Sequence, residues 1–181
     1  MLNISEMNVS LFRMINDLGK EFTFLNPIFI FIAQYTIYLL IAVVLFFLIK
    51  KERRMIFSAV ISLIIAEIGA RLVGLLHSNN QPFAELDNVN QLVEKAVDNS
   101  FPSDHTIIFF ALCFTFFLFK KGFWWIILAL FVGISRIWVG VHYPADVIVG
   151  AILAIGSSLL IYKIIQKTQN KVQVKNKSEN F

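Results

Sequence analysis

The chain has 181 residues, of which 57% are hydrophobic and 15% charged, with 19 phenylalanines and a single cysteine. A soluble domain is about 45–50% apolar with glycine counted and about 25% charged, so a soluble enzyme and a disordered chain are both excluded. The lone Cys113 excludes a disulfide framework and a Cys-based zinc site, and the net charge of +4 marks no basic face of a polar domain, so no nucleic-acid partner is expected.

The first 26 residues read as an amphipathic helix. Met7, Leu11, Met14, Ile15 and Leu18 recur at helical spacing, with Asn8, Arg13, Asn16 and Asp17 on other faces. Such a helix lies on the membrane interface or forms a sixth, partial membrane segment; it lacks the basic start and small-residue cleavage site of a secretory signal. Residues 27–49, 55–76 and 145–165 reach the roughly 20 apolar residues that cross a bilayer core. Residues 106–119 and 123–141 are slightly shorter or carry one charge, and the basic turn Lys120-Lys121-Gly122 joins them. The expectation is an all-α integral membrane protein, a bundle of five to six transmembrane helices with an N-terminal amphipathic helix. Residues 1–166 form one membrane domain, and 167–181 a polar, basic, cytoplasmic tail.

Lys50, Lys51, Arg53, Arg54, Lys120, Lys121, Lys163 and the tail residues Lys167, Lys171, Lys175 and Lys177 mark the cytoplasmic side. The loop 77–103 carries Glu85, Asp87, Glu94 and Asp98 against Lys95 alone, and is expected to face outward. Charges within spans are costly and are functional candidates by default. Arg71 and Arg136 fall near the outer ends of their spans, as do His77, His105 and His142, while Glu67 lies one turn before Arg71. A cationic cluster at a membrane surface points to a phosphorylated lipid.

Two segments sharpen that reading. Residues 100–106, SFPSDHT, open the third span with helix-start residues, so the amides of Ser103, Asp104 and His105 are expected to face outward. This is either a plain capped start or an anion site at a helix N-terminus. In the second segment Ser135-Arg136 is followed by His142, Pro144 and Asp146. Pro144 suits a first helical turn, which puts Asp146 one turn beyond His142. A carboxylate there either fixes the imidazole tautomer and frees the other nitrogen, or merely favours the helix dipole.

Together these segments resemble the type 2 phosphatidic acid phosphatase superfamily. Pro102, Ser103 and His105 match its P-S-x-H signature; Ser135, Arg136, His142 and Asp146 match S-R-x5-H-x3-D. The motif sequences look closest to the bacitracin-resistance (BcrC-type) undecaprenyl-diphosphatases. The first signature is incomplete: Gly74 and Gln81 stand where Lys and Arg are expected. Arg71, one turn before Gly74, either reaches toward the interface in their place or is neutralised by Glu67.

The resemblance implies hydrolysis through a phosphohistidine with no metal and no cofactor. His142, oriented by Asp146, is the implied nucleophile and His105 the acid and then base. Arg136, Ser103, Asp104, Arg71, Gln81 and Ser135 are the phosphate-binding candidates, although Asp104 also suits a plain first-turn acid. The implied substrate is a polyprenyl diphosphate, cleaved at the outer face of the cytoplasmic membrane, with bacitracin resistance as a consequence. The alternatives are a phosphatase for phosphatidic acid or phosphatidylglycerophosphate, and a non-catalytic lipid-diphosphate binder or exporter subunit. Trp124, Trp125 and Trp138 read as interfacial anchors. The motifs address phosphate and leave tail length and oligomeric state unspecified.

Overall fold

The computed structural model describes residues 4–178, with side chains described for residues 5–170. All regular elements among them are helical: α1 (Ile4–Asn16), α2 (Leu18–Glu21), a 3-10 turn (Thr23–Leu25), α3 (Asn26–Ile49), α4 (Arg53–Leu76), α5 (Pro82–Glu85), α6 (Asp104–Leu118), α7 (Trp124–Trp138) and α8 (Pro144–Ser178). Prolines begin three of these helices, at Pro27, Pro82 and Pro144, where the missing N–H costs nothing. The turns between α3 and α4 and between α6 and α7 lie on the same side, where Lys121 pairs with Glu52.

Three described segments are long and apolar enough to cross a membrane: Thr23–Ile49, Arg53–Leu76 and Pro144–Asn170. The helices α6 and α7 have 15 residues each, about 22 Å at 1.5 Å per residue. Their shortness leaves space at the Asp104 and Trp138 ends, which the long loop 77–103 fills.

Helices α4, α6 and α8 pack against one another at the centre, α7 lies against α6, and α3 lies against α7. Ile107, Phe109, Phe116, Val132 and Ala154 form the core. Lipid tails are as apolar as leucine, so close helix packing rather than water exclusion drives association, and small residues permit it. Gly150 of α8 is one such place beside the site: a Cβ there would lie 3.1 Å from Ser103 O at the start of α6. The outer surfaces carry exposed Ile49, Phe57, Leu75 and Ile152, as a lipid-facing bundle requires.

The N-terminal helix is amphipathic as expected, but the face it buries is a mixed one, with Val9 and Ile15 packed beside Phe12 and with Asn16. Met7, Leu11, Met14 and Leu18 are exposed, whereas Phe12 and Asn16 are fully buried. Asn16 Nδ2 donates to Asn90 O at 3.0 Å and Trp138 O at 2.8 Å, and its Oδ1 accepts from Asn90 N at 2.9 Å. Arg13 donates to Asp87 O at 2.6 Å, and Asn8 Oδ1 accepts from Ala145 N at 3.0 Å. The segment thus ties the long loop to the ends of α7 and α8. Trp138 also departs from expectation: it is buried, stacked on Phe29 at 4.0 Å, with Nε1 donating to Asn26 Oδ1 at 2.9 Å. From Lys167 the expected tail continues α8 as helix to Ser178; the side chains of Lys171, Lys175 and Lys177 and positions 179–181 lie outside the described residues.

Candidate active site

The site is assembled where the first turns of α6 and α8, the end of α7 and the long loop meet. After α7 the chain turns through Gly140, with φ of 84°, and the amides of Val141 and His142 both donate to Arg136 O, at 3.2 and 3.3 Å. This tight return places His142 directly before Pro144 and α8. One turn on, Asp146 Oδ2 accepts from Tyr143 N at 2.9 Å, while Asp146 O accepts from Ser103 N at 3.1 Å. The starts of α6 and α8 are therefore joined through Asp146.

Ser100 completes the arrangement. Its hydroxyl donates to Asp146 Oδ2 at 2.6 Å and lies 3.0 Å from His142 Nδ1, while His142 Nδ1 to Asp146 Oδ2 is longer at 3.4 Å. A hydroxyl has one hydrogen to give, so with that hydrogen on Asp146 it accepts from His142 Nδ1–H. The network assigns the Nδ1–H tautomer and leaves Nε2 with its lone pair free. Ser100, His142 and Asp146 are all buried, with His142 3% and Asp146 1% exposed. Burial is the largest influence on the His142 ring and pushes its pKa below the ordinary imidazole value. The Asp146 hydrogen bond opposes this, and the positive charges of Arg136 and Lys95 reinforce it. The lowered pKa favours the neutral ring, the form that a nucleophile requires.

A cavity of about 590 Å³ lies in front of this network, lined by Ser100, Asp104, His105, Arg136, His142 and Lys95, with Gln34, Tyr35 and Tyr38 of α3 on its other wall. Arg136 is 5% exposed; its Nη1 donates to Ala33 O at 2.9 Å, and among the described residues its Nε has no partner. A buried guanidinium with an unsatisfied donor beside a neutral imidazole suits an anion attacked by that imidazole. Among the described residues no group of three or more His, Cys, Asp or Glu is placed to hold a metal ion.

Other candidates are placed differently. Ser103 is fully buried at the α6 N-cap, with its hydroxyl accepting from Thr106 at 3.1 Å. Its amide bonds Asp146 O rather than facing outward as the sequence suggested. Ser135 is also fully buried and donates to Val132 O at 2.6 Å, within its own helix. Arg71 lines a neighbouring cavity of about 480 Å³ with Glu67, Gly74 and Asp104. Gln81 is fully buried; its Nε2 donates to Asp98 Oδ1 and its Oε1 accepts from Asp98 N at 3.1 Å. Two residues were missed from sequence. Ser100 stood at the edge of a signature without a role, and Lys95 was visible only as the lone cation of an acidic loop.

The chain also resembles known proteins in sequence and fold. The PAP2 superfamily profile matches residues 56–170. The chain is 52% identical to the "Bacitracin transport permease protein BcrC" of Bacillus licheniformis over 166 residues, covering 89% of this chain and 82% of that protein. It is 31% identical to the "Undecaprenyl-diphosphatase BcrC" of Bacillus subtilis, covering 87% of this chain and 83% of that one. The crystal structure of Aquifex aeolicus LpxE shares the fold at a TM-score of 0.74 and 24% identity, covering 87% of this chain and 95% of that chain. With the His142 network, Arg136 and His105 at one cavity, this all-α integral membrane protein belongs to the PAP2 superfamily.

Proposed function

We propose that the protein hydrolyses undecaprenyl diphosphate to undecaprenyl phosphate and orthophosphate through a phosphohistidine. The observation that carries this reading is the buried chain from His142 through Ser100 to Asp146, with His142 opening onto the cavity that holds Arg136 and His105. His142 Nε2 attacks the terminal phosphorus, and the P–O bond to the lipid phosphate breaks. His105 gives that leaving oxygen a proton. Arg136, with its free Nε, stabilises charge on the transferring group, and the α6 first turn adds its positive end. Water then attacks the phosphohistidine, His105 takes its proton, and the P–N bond breaks to release orthophosphate and restore neutral His142.

The lipid specificity is supported by the B. subtilis relative, which is named for this activity, and by tyrosines of α3 on the cavity wall, through which a lipid can approach from the bilayer. The lysines and arginines of the two helix turns and of the C-terminal segment support an orientation with the site at the outer face of the cytoplasmic membrane. Removal of the lipid diphosphate in this way also supports resistance to bacitracin. The printed name of the B. licheniformis relative raises a second reading, a subunit of a bacitracin permease. A buried nucleophile network is unnecessary in a permease, and it favours the enzyme.

The deciding experiment is phosphate release by the purified protein in detergent with EDTA, over a panel of undecaprenyl diphosphate, phosphatidic acid and phosphatidylglycerophosphate. The reading predicts turnover with strong preference for the diphosphate. Preference for another lipid overturns the substrate assignment, and no release from any lipid overturns the enzyme reading.

A further inference from the structure

The cavity before His142 contains one buried guanidinium, and Arg136 already commits Nη1 to Ala33 O at 2.9 Å. A lipid diphosphate brings two adjacent anionic phosphoryl groups, and one partly committed cation leaves much of that charge uncompensated. Among the described residues, Lys95 is the other lysine or arginine on this cavity wall, and the His105 ring is assigned to the leaving oxygen. Its Nζ lies 3.6 Å from Asp98 Oδ1, with the Lys95 side chain 27% and the Asp98 side chain 58% exposed. A half-exposed pair at that distance is weak, so the ammonium can exchange Asp98 for a phosphate oxygen at little cost.

Asp98 is itself anchored. Gln81 is fully buried, donates from Nε2 to Asp98 Oδ1 and accepts from Asp98 N at 3.1 Å. The buried amide thus fixes the carboxylate, and the carboxylate holds the ammonium over the cavity. We propose that Lys95 is the second phosphate-binding cation of this site, with Gln81 and Asp98 as its positioning residues. Gln81, which stands where the first signature has an arginine, serves phosphate binding indirectly through this chain. Arg71 lies elsewhere, in the neighbouring cavity with Glu67 and Asp104. The assignment rests on the reading of the site as one for lipid diphosphate, and predicts that Lys95 matters more for a diphosphate than for a monophosphate.

The test uses the full chain in detergent and the variants Lys95→Ala, Lys95→Arg and Gln81→Ala. Phosphate release is measured from undecaprenyl diphosphate and from phosphatidic acid, and inorganic pyrophosphate is titrated calorimetrically. Losing one charge-assisted contact raises KM for the diphosphate about tenfold in Lys95→Ala, with little change in kcat. The loss on phosphatidic acid is smaller, Lys95→Arg recovers most of the affinity, and Gln81→Ala shifts KM in the same direction by less. Pyrophosphate affinity falls about tenfold in Lys95→Ala. Unchanged KM and pyrophosphate affinity in Lys95→Ala overturn the proposal. So does an equal loss on both lipids without rescue by arginine, which marks a merely structural residue. If the wild type releases no phosphate from the lipid diphosphate, the proposed function falls by itself. The pyrophosphate titration then decides the role of Lys95 alone, weaker binding supporting it and equal binding overturning it.

Discussion

In the proposed mechanism Ser100 decides how His142 acts. Its hydroxyl bridges a ring nitrogen and a carboxylate that are 3.4 Å apart, beyond good hydrogen-bond geometry on their own. Ser100→Ala removes the acceptor for Nδ1–H and the donor to Asp146, whose Oδ1 already has no partner among the described residues. We expect kcat to fall about 10- to 100-fold with KM little changed, the order of loss found when a residue that orients a metal-bound imidazole is removed. Equal kcat in steady-state assays would remove Ser100 from the account. The pH dependence follows from the same ring. Protonated His142 cannot attack, so kcat/KM falls as acid protonates it, and burial places that limb below the ordinary imidazole value. Around the ring, Asp146 favours protonation, Arg136 and Lys95 oppose it, and His105 lines the same cavity. Asp146→Asn removes the favouring carboxylate, so the limb moves further to acid while kcat falls; a shift to alkaline pH would contradict the assignment. His142, Asp146 and Arg136 were proposed from the sequence through their resemblance to a family signature, the His–Asp spacing alone being equally open to a plain helix-start acid. Ser100 was not, since its role exists only when residues 42 and 46 positions apart meet.

Among the elements, α1 and the turn after α7 keep this network in place. The helical period of α1 was legible, but which face it buries was not. An interface offers water to the polar face, whereas this fold offers the backbone of the long loop instead. Asn16 satisfies Asn90 and Trp138 across 74 and 122 positions, and nothing local in the sequence announces such a partner. Asn16→Ala leaves those buried groups unpaired, at about 1–3 kcal/mol, and lowers the thermal midpoint of the purified protein. Gly140 is the second support. A Cβ there would lie 2.8 Å from Asn90 O and 2.9 Å from Val89 Cγ1, on a backbone with φ of 84°. Gly140→Ala therefore pushes the long loop off α7 and lowers both stability and turnover, by about 1–3 kcal/mol in stability. A variant as stable and active as wild type would show that the loop docks independently of this turn.

For the whole molecule, hydropathy made the membrane bundle legible, because runs of apolar residues have few other uses. The depth of the site was less legible: α6 and α7 look like slightly short spans in sequence, and only the fold reveals that a loop fills the missing length. Orientation is testable with the single native cysteine, since Cys113 is fully buried and gives little background. In intact cells a membrane-impermeant maleimide labels Ser78→Cys on the long loop, and labels Lys167→Cys only after permeabilisation. The reverse pattern would put the site inside. Hydrolysis through His142 is tested most directly by rapid-quench with undecaprenyl diphosphate radiolabelled in its terminal phosphate. The account predicts an acid-labile, alkali-stable phosphoprotein that maps to His142 and decays to orthophosphate, with neither label nor release from His142→Ala. Release at the wild-type rate from His142→Ala, or label on another residue, would contradict it.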